Sequence, residues 1–273
     1  MRILLILLIV LAVNQSVFAQ KKERTYYDVE QEQVKEEFET IEGIRVGTYK
    51  KFHFDGLVTI LGTYNMGKKT GLWEYFYSSG KRSALGKFNM DSLDGHWIYF
   101  FRNGNVSTEG DFVMDQKQGL WVVYNEQGRK TGEGTFENGN GMFSEFYPDG
   151  SVERKALFAE GLKNGKSTIY YEDGSVKQTA TFSEDVLVDT MRVYYPEGQL
   201  QTISSFSKGK LDGVLKSYYE DGTLKEASSY KNGLAHGGSK VYDEKGQLEV
   251  DAVYEKGVMK SSRKYKNGIL IEY

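Results

Sequence analysis

The segment Gly71-Leu-Trp-Glu-Tyr-Phe-Tyr-Ser-Ser-Gly80 decides the fold, because the chain repeats it with a fixed period. It returns as Gly95-His-Trp-Ile-Tyr-Phe-Phe-Arg-Asn-Gly104 and again as Gly119-Leu-Trp-Val-Val-Tyr-Asn-Glu-Gln-Gly128. With Gly71 as position 1, units begin at residues 47, 71, 95, 119, 141, 165, 189, 213 and 237. Each step is 24 residues except the 22 between 119 and 141. Such a period predicts a repeat protein whose units pack on their neighbours.

Four positions of the unit keep their residue type in all nine copies. Position 10 is always Gly, and positions 6 and 18 are always aromatic. Position 16 is always small, and its residues are Gly62, Gly86, Gly110, Gly134, Ala156, Ala180, Ser204, Ser228 and Ala252. Between the glycine-centred turns lie runs rich in Tyr, Phe, Val and Thr, which favour strands over helices. Each unit is therefore predicted to be a β-hairpin.

The two prolines indicate the type of turn inside each hairpin. They stand at position 8, in Tyr147-Pro148-Asp149-Gly150 and Tyr195-Pro196-Glu197-Gly198. Pro suits the second residue of a type I turn, and a left-handed Gly two residues later closes a bulged three-residue hairpin. This turn places position 7 opposite 11 and position 6 opposite 12. Regular alternation then puts positions 6, 12, 16 and 18 on one face, which we predict to be the core, with position 16 leaving room for neighbouring rings.

A second turn, of the form Lys231-Asn-Gly-Leu234, joins consecutive hairpins into a meander. The predicted fold is all-β: an elongated open antiparallel sheet of about nine tandem 24-residue hairpins, spanning residues 47–273 with 261–273 as a truncated last unit. With neighbouring strands ~4.8 Å apart, nine units extend over roughly 85 Å.

These units resemble the MORN repeat, in its bacterial variant with G-x-W-x-x-Y-x-x-x-G, a following Gly and aromatic strand, and a K-N-G turn. The resemblance covers residues 47–273. It implies a hairpin-repeat fold and, for the bacterial type, an antitoxin-like role in a toxin–antitoxin pair. Resemblance to the eukaryotic repeats would instead imply a role in scaffolding, in dimerisation or in contact with lipid head groups.

The candidate binding residues are aromatic side chains at positions 3 and 5, on the face away from the predicted core. They are Trp73, Tyr75, Trp97, Tyr99 and Trp121. All three tryptophans of the chain form one ladder, and aromatic bodies with a polar fringe suit contact with a protein, a peptide or a glycan. The alternative, which we favour, is that the twisted sheet covers these rings as a second core.

The N-terminal residues predict export. Met1 and Arg2 precede the apolar run 3–13, and Val17 and Ala19 are small residues before a cleavage site, so residues 1–19 read as a secretory signal peptide. Secretion to the periplasm or the extracellular space follows. Residues 20–46 are rich in acids and are expected to be a solvated linker or a capping segment that blunts the first sheet edge.

Composition narrows the function further. The net charge of −3 disfavours nucleic acid and anionic membrane surfaces as partners, and the absence of Cys excludes thiolate chemistry. His53, His96 and His236 have no partners at metal-ligand spacing, so we expect no metal, no cofactor and no catalytic residue. The leading hypothesis is an exported, non-enzymatic scaffold that binds a protein; the alternative is a glycan- or cell-wall-binding module, and self-association through sheet edges stays open.

Overall fold

The computed structural model describes residues 19–272, which form a single antiparallel sheet of 22 strands without a helix. The first eleven strands are β1 (Lys21–Tyr26), β2 (Val34–Ile41), β3 (Ile44–Phe52), β4 (Val58–Asn65), β5 (Lys68–Phe76), β6 (Arg82–Asn89), β7 (Ser92–Phe100), β8 (Val106–Val113), β9 (Gln116–Tyr124), β10 (Lys130–Glu137) and β11 (Asn140–Phe146). The others are β12 (Val152–Ala159), β13 (Leu162–Tyr170), β14 (Val176–Ser183), β15 (Val186–Tyr194), β16 (Leu200–Ser207), β17 (Lys210–Tyr218), β18 (Leu224–Lys231), β19 (Leu234–Tyr242), β20 (Leu248–Glu255), β21 (Val258–Lys266) and β22 (Ile269–Glu272). Every strand pairs with the next one along the chain, so the sheet is an uninterrupted meander. The predicted fold class is confirmed.

The turn at positions 8–10 has the predicted geometry. In the unit of Gly71, the amide of Tyr77 donates to the carbonyl of Lys81 at 2.8 Å, and the amide of Gly80 donates to the carbonyl of Tyr77 at 2.9 Å. Gly80 has a φ of 79°, the left-handed conformation that costs Gly nothing. The same pair of hydrogen bonds recurs at Tyr147 and Tyr195, where Pro occupies the following position. The invariant Gly at position 10 is therefore explained by backbone conformation.

The turn between hairpins is a two-residue turn in which both residues have positive φ. Met66 and Gly67 have φ of 48° and 79°, and Met90 and Asp91 have φ of 51° and 78°. Two consecutive left-handed residues are the mark of a type I′ turn, which matches the twist of the strands it joins. Asp91 and Asp115 both occupy the second position of such a turn, and the Asp91 carboxylate also accepts the amide of Lys69 at 2.7 Å.

A β-bulge in each hairpin corrects the predicted assignment of faces. Phe76 lies opposite Arg82, but Tyr75 lies opposite Ala84, so Ser83 at position 13 is an extra residue. This inserted residue reverses the alternation beyond it. Positions 14, 16 and 18 consequently share the face of positions 3 and 5, and not that of positions 6 and 12. The prediction that positions 6, 12, 16 and 18 form one core face was wrong for this reason.

A second bulge lies where each unit joins the next. Lys87 pairs with Asp94 and Leu85 pairs with Ile98, so Gly95, His96 and Trp97 together face Gly86. Gly95 has a φ of 76°, which explains the Gly at position 1. The 22-residue unit lacks this bulge: β10 and β11 pair without a register shift, and β11 has seven residues. The missing two residues thus remove a bulge and leave the sheet continuous.

The acidic segment 20–46 contributes β1, β2 and the beginning of β3 to the sheet. In this segment, the Arg24 guanidinium pairs with the Glu37 carboxylate at 2.8 Å, and that contact holds the pKa of Glu37 below its ordinary value. The predicted signal segment lies outside the described residues apart from Ala19. Among residues 19–272 there is no helix that could cross a membrane.

Candidate interaction surfaces

The three predicted tryptophans are buried within the sheet's own side chains. Trp73, Trp97 and Trp121 are 1%, 3% and 2% exposed. We name the side of the sheet that carries them the tryptophan face. The indole N–H of Trp97 donates to the carbonyl of Lys87, and that of Trp121 to the carbonyl of Asp111, both at 3.0 Å. The buried rings and the hydrogen-bonded indole N–H groups give these tryptophans a structural role in the sheet.

Each indole lies on the small residue at position 16 of the preceding unit. A Cβ built on Gly86 would come 2.1 Å from the Trp97 ring, and one on Gly62 would come 2.2 Å from the Trp73 ring. The aromatic residue at position 18 then meets the indole edge-on: the ring centroids of Phe88 and Trp97 are 5.2 Å apart. Position 16 therefore makes room for neighbouring rings, as the sequence predicted, although on the other face.

Lysines at position 23 cover two of the indoles. The Lys69 ammonium lies 4.7 Å from the centroid of Trp73, and the Lys117 ammonium lies 4.6 Å from that of Trp121. Such cation–π contacts strengthen where water is excluded. Partial burial lowers the pKa of the Lys117 ammonium. The chain thus closes the space over the rings with its own aliphatic stems.

Tyr75 and Tyr99 are half-buried in the same row. The ring of Tyr75 lies 6.4 Å from Trp73 and 6.3 Å from Trp97, so it bridges two units. Burial raises the pKa of Tyr75 to about 12 and that of Tyr99 in the same direction. The structure therefore brings all five predicted site residues together in one packed row. A ligand-binding role for this row stays a prediction, and its rings already pack against one another.

The opposite face carries exposed apolar side chains that the sequence reasoning did not single out. Leu120, Met142 and Leu157 are 54%, 46% and 43% exposed. Thr135 pairs with both Leu120 and Met142, and Met142 pairs with Leu157, so the four residues form one cross-strand row. We call Leu120, Met142 and Leu157 the central apolar patch. The sequence feature that could have indicated this patch is the apolar residue at position 2 in two successive units, Leu120 and Met142, together with Leu157 at position 17.

His96 has acidic neighbours on the opposite face. Its Nδ1 lies 3.0 Å from the Asp111 carboxylate and its Nε2 lies 3.6 Å from Glu109, which also accepts the Tyr124 hydroxyl at 2.7 Å. The sequence reasoning missed this cluster because it arises from cross-strand register. Over residues 19–272 no three His, Asp or Glu side chains are arranged to hold a metal ion.

A line of tyrosine hydroxyls ties successive units together along the margin of the three-residue turns. The hydroxyl at position 7 donates to the carbonyl of position 6 in the next unit: Tyr77 to Phe100 at 2.5 Å, Tyr147 to Tyr170 at 2.7 Å and Tyr195 to Tyr218 at 2.9 Å. These contacts link residues 23 apart, and so they depend on the period being kept. These hydrogen bonds therefore connect successive units along this margin of the sheet.

Comparison with known proteins supports the repeat assignment. A family model described as the MORN repeat variant matches residues 93–114, 163–184 and 211–232. The three matches coincide with the hairpins β7–β8, β13–β14 and β17–β18. No curated protein matches the chain.

Two solved structures give weaker likenesses. One is a Photorhabdus luminescens Tc holotoxin pore, at 10% identity and a TM-score of 0.20, covering 91% of this chain and 16% of that one. The other is TcdB2-TccC3 without its hypervariable C-terminal region, at 9% identity and a TM-score of 0.20, covering 90% of this chain and 15% of that one. The chain thus spans about a sixth of the length of these structures. What the comparisons establish is a tandem-hairpin protein with three units that match the MORN repeat variant.

Proposed function

We propose that this chain is an exported, non-catalytic repeat scaffold that binds a protein partner on the face opposite the tryptophans. The observation that carries the proposal is the central apolar patch, which is exposed on a single-layer sheet. Met142 and Leu157 are direct cross-strand neighbours, and Thr135 lies between Met142 and Leu120. Exposed apolar side chains that are grouped on one surface are typical of protein interaction sites. An antitoxin-like role outside the cytoplasm is the specific form that the resemblance implies.

The choice of face follows from accessibility. Glycan binding through the tryptophan ladder needs indole rings on which a sugar can stack, and these rings are 1–3% exposed. Leu120, Met142 and Leu157 leave about half of their surface to solvent and lie in a row across β9, β11 and β12. A partner that covers this row removes apolar area from water at roughly 25 cal/mol per Å². For that reason we place the binding surface there.

The proposal is tested by capture from an envelope fraction with a charged variant of the patch. Leu120→Glu, Met142→Glu and Leu157→Glu combined should abolish specific capture, because three carboxylates would have to be desolvated in the interface. The matched control, T190E/S205E/S229E, adds the same charge to the same face in later units. It should retain capture. Equal capture by both variants, or no specific partner for the native chain, would overturn the proposal.

A further inference from the structure

In the part of the chain that the structure describes, both ends of the sheet are open edges. Within residues 19–272, β1 pairs only with β2, and β22 pairs only with β21. The outer backbone amides and carbonyls of an edge strand are a template for another strand. Among the strands of residues 19–272, β1 and β22 are the two that are placed to accept one.

The directions of the edge strands allow a second copy to continue the meander. Neighbouring strands alternate in direction along all 22 strands, so β1 and β22 run opposite ways. A copy shifted along the sheet would bring its β1 antiparallel to β22, as in each pairing within the chain. An end that fits a different end generates an open, growing assembly.

The end hairpins carry opposite charge. The first hairpin, residues 21–41, has seven acidic and four basic residues, a net charge of −3. The last hairpin, residues 258–272, has four basic residues and one acidic residue, a net charge of +3. Opposite potentials on two surfaces favour their encounter and fix which surfaces meet. Two first hairpins, or two last hairpins, would repel each other.

The charged groups also meet at the same margin. Lys266 ends β21, and Glu30 and Glu32 follow the end of β1. Because β1 and β21 are both odd-numbered strands, they run in the same direction and end at one margin of the sheet. Glu30 and Glu32 are exposed in that turn, and so is Lys266. Stacking of the copies therefore brings opposite charges together there.

The last hairpin also exposes more apolar surface than the internal hairpins do. Val258, Met259, Ile269 and Ile271 are 59%, 55%, 69% and 60% exposed. Leu162, Val186 and Leu234, which begin internal strands in the same way, are 42%, 42% and 51% exposed, so a following hairpin reduces the exposure of this position only in part. Solenoids need their terminal units protected. A first hairpin from another copy would bury part of this apolar surface.

The geometry points to head-to-tail self-assembly, in which β22 of one copy pairs antiparallel with β1 of the next. The occupant of the C-terminal edge is a second copy of this chain. The assembly is a filament that continues the sheet.

Sedimentation velocity on protein purified from the envelope of a host expressing the full chain tests this inference. The native protein should form concentration-dependent oligomers at about 0.05 M NaCl, and these should dissociate at about 0.5 M because salt screens the end charges. Elongated filaments should be visible by negative-stain microscopy at low salt. A native protein that stays monomeric at low salt across the concentration range would overturn the inference.

A charge swap tests the polarity of the assembly. K260E/K266E changes the last hairpin from +3 to −1, and E30K/E32K changes the first from −3 to +1. Each variant alone should associate at least about tenfold more weakly, because its two ends now have the same sign. An equimolar mixture should recover assembly, since every junction then joins opposite charges.

The control K87E/K166E makes the same change of net charge as K260E/K266E, but away from the ends of the sheet and at two exposed lysines. It should assemble like the native chain. Failure of the mixture to recover assembly would contradict the head-to-tail arrangement, as would equal weakening by the control. Unchanged association of both end variants would also count against it.

Discussion

At the scale of single residues, the chain couples position 16 of one unit to position 3 of the next. Gly62, Gly86 and Gly110 precede the three tryptophans, and a Cβ on any of them would collide with an indole. Where position 16 is Ala or Ser, position 3 is a smaller or more flexible residue, as in Ala156 opposite Ser167. The sequence reveals that position 16 is small, but only the cross-strand register explains why it changes with its partner.

The first prediction concerns that coupling. Gly86→Ala should lower the free energy of unfolding by about 1–3 kcal/mol or more, because the new methyl group overlaps Trp97. The double variant G86A/W97S copies the natural Ala156–Ser167 pair, so its loss should be smaller than the sum of the single losses. Urea unfolding of the four proteins measures the coupling. Gly238→Ala is the control, since a Cβ at Gly238 meets no atom within 4 Å; strict additivity at Gly86 and Trp97 would contradict the contact.

The second prediction concerns pH. Burial raises the pKa of Tyr75 from its ordinary 10.0 to about 12, so the folded state holds the phenol neutral. The stabilisation is therefore complete below the unfolded pKa near 10 and is lost as the pH rises toward about 12. Tyr75→Phe keeps the ring and should lose less stability across this range, as judged by urea unfolding at each pH. An identical alkaline loss in both proteins would show that Tyr75 makes no contribution.

At the scale of the elements, the sequence predicted the strands and the three-residue turn but not which side chains share a face. The positions of the strands and the type of turn are set by nearby residues, and the predicted turn was confirmed at Gly80 and Gly150. The face that a side chain occupies depends on whether an even or an odd number of residues separates it from the turn. The extra residue Ser83 changes this count for the rest of its strand, so every later side chain lies on the other face. The same error placed the tryptophans away from the core. It also concealed the central apolar patch, which requires the uninterrupted register of β10 and β11.

The third prediction concerns the type I′ turns. Met66 occupies the first left-handed position with a φ of 48°, whereas Asn138 fills the equivalent site with a φ of 50°. Asn tolerates this conformation better than Met, so Met66→Asn should stabilise the chain by about 0.5–1 kcal/mol. The reciprocal change Asn138→Met should destabilise it by a similar amount. Chemical denaturation midpoints compare the two, and equal effects of the same sign would rule out the turn explanation.

At the scale of the whole molecule, the packed core changes along the sheet. Buried aromatic clusters run from Phe38 to Phe136, whereas later units bury Ser167, Ser204 and Ser228. Ser228 and Ser239 meet through a 2.7 Å hydrogen bond where earlier units place an indole on Gly. In a repeat protein each unit depends mainly on its neighbours, so local stability should follow local packing.

The fourth prediction follows from this gradient. Amide hydrogen exchange should be slower in β5–β10 than in β15–β20, because the latter strands have fewer buried rings to lose on opening. Exchange measured by mass spectrometry on peptides from both regions gives the comparison within one molecule. Uniform protection along the sheet would mean that the aromatic clusters do not set local stability.

The most direct test of a single-layer sheet built from stacked hairpins is small-angle X-ray scattering of the end-charge variant K260E/K266E in high salt, where it should be monomeric. Twenty-two strands spaced ~4.8 Å apart give a length of roughly 100 Å and a radius of gyration of about 30 Å. A sheet folded into a compact domain of 273 residues would instead have a radius of gyration of about 19 Å. The extended value supports the account, and the compact value would contradict it.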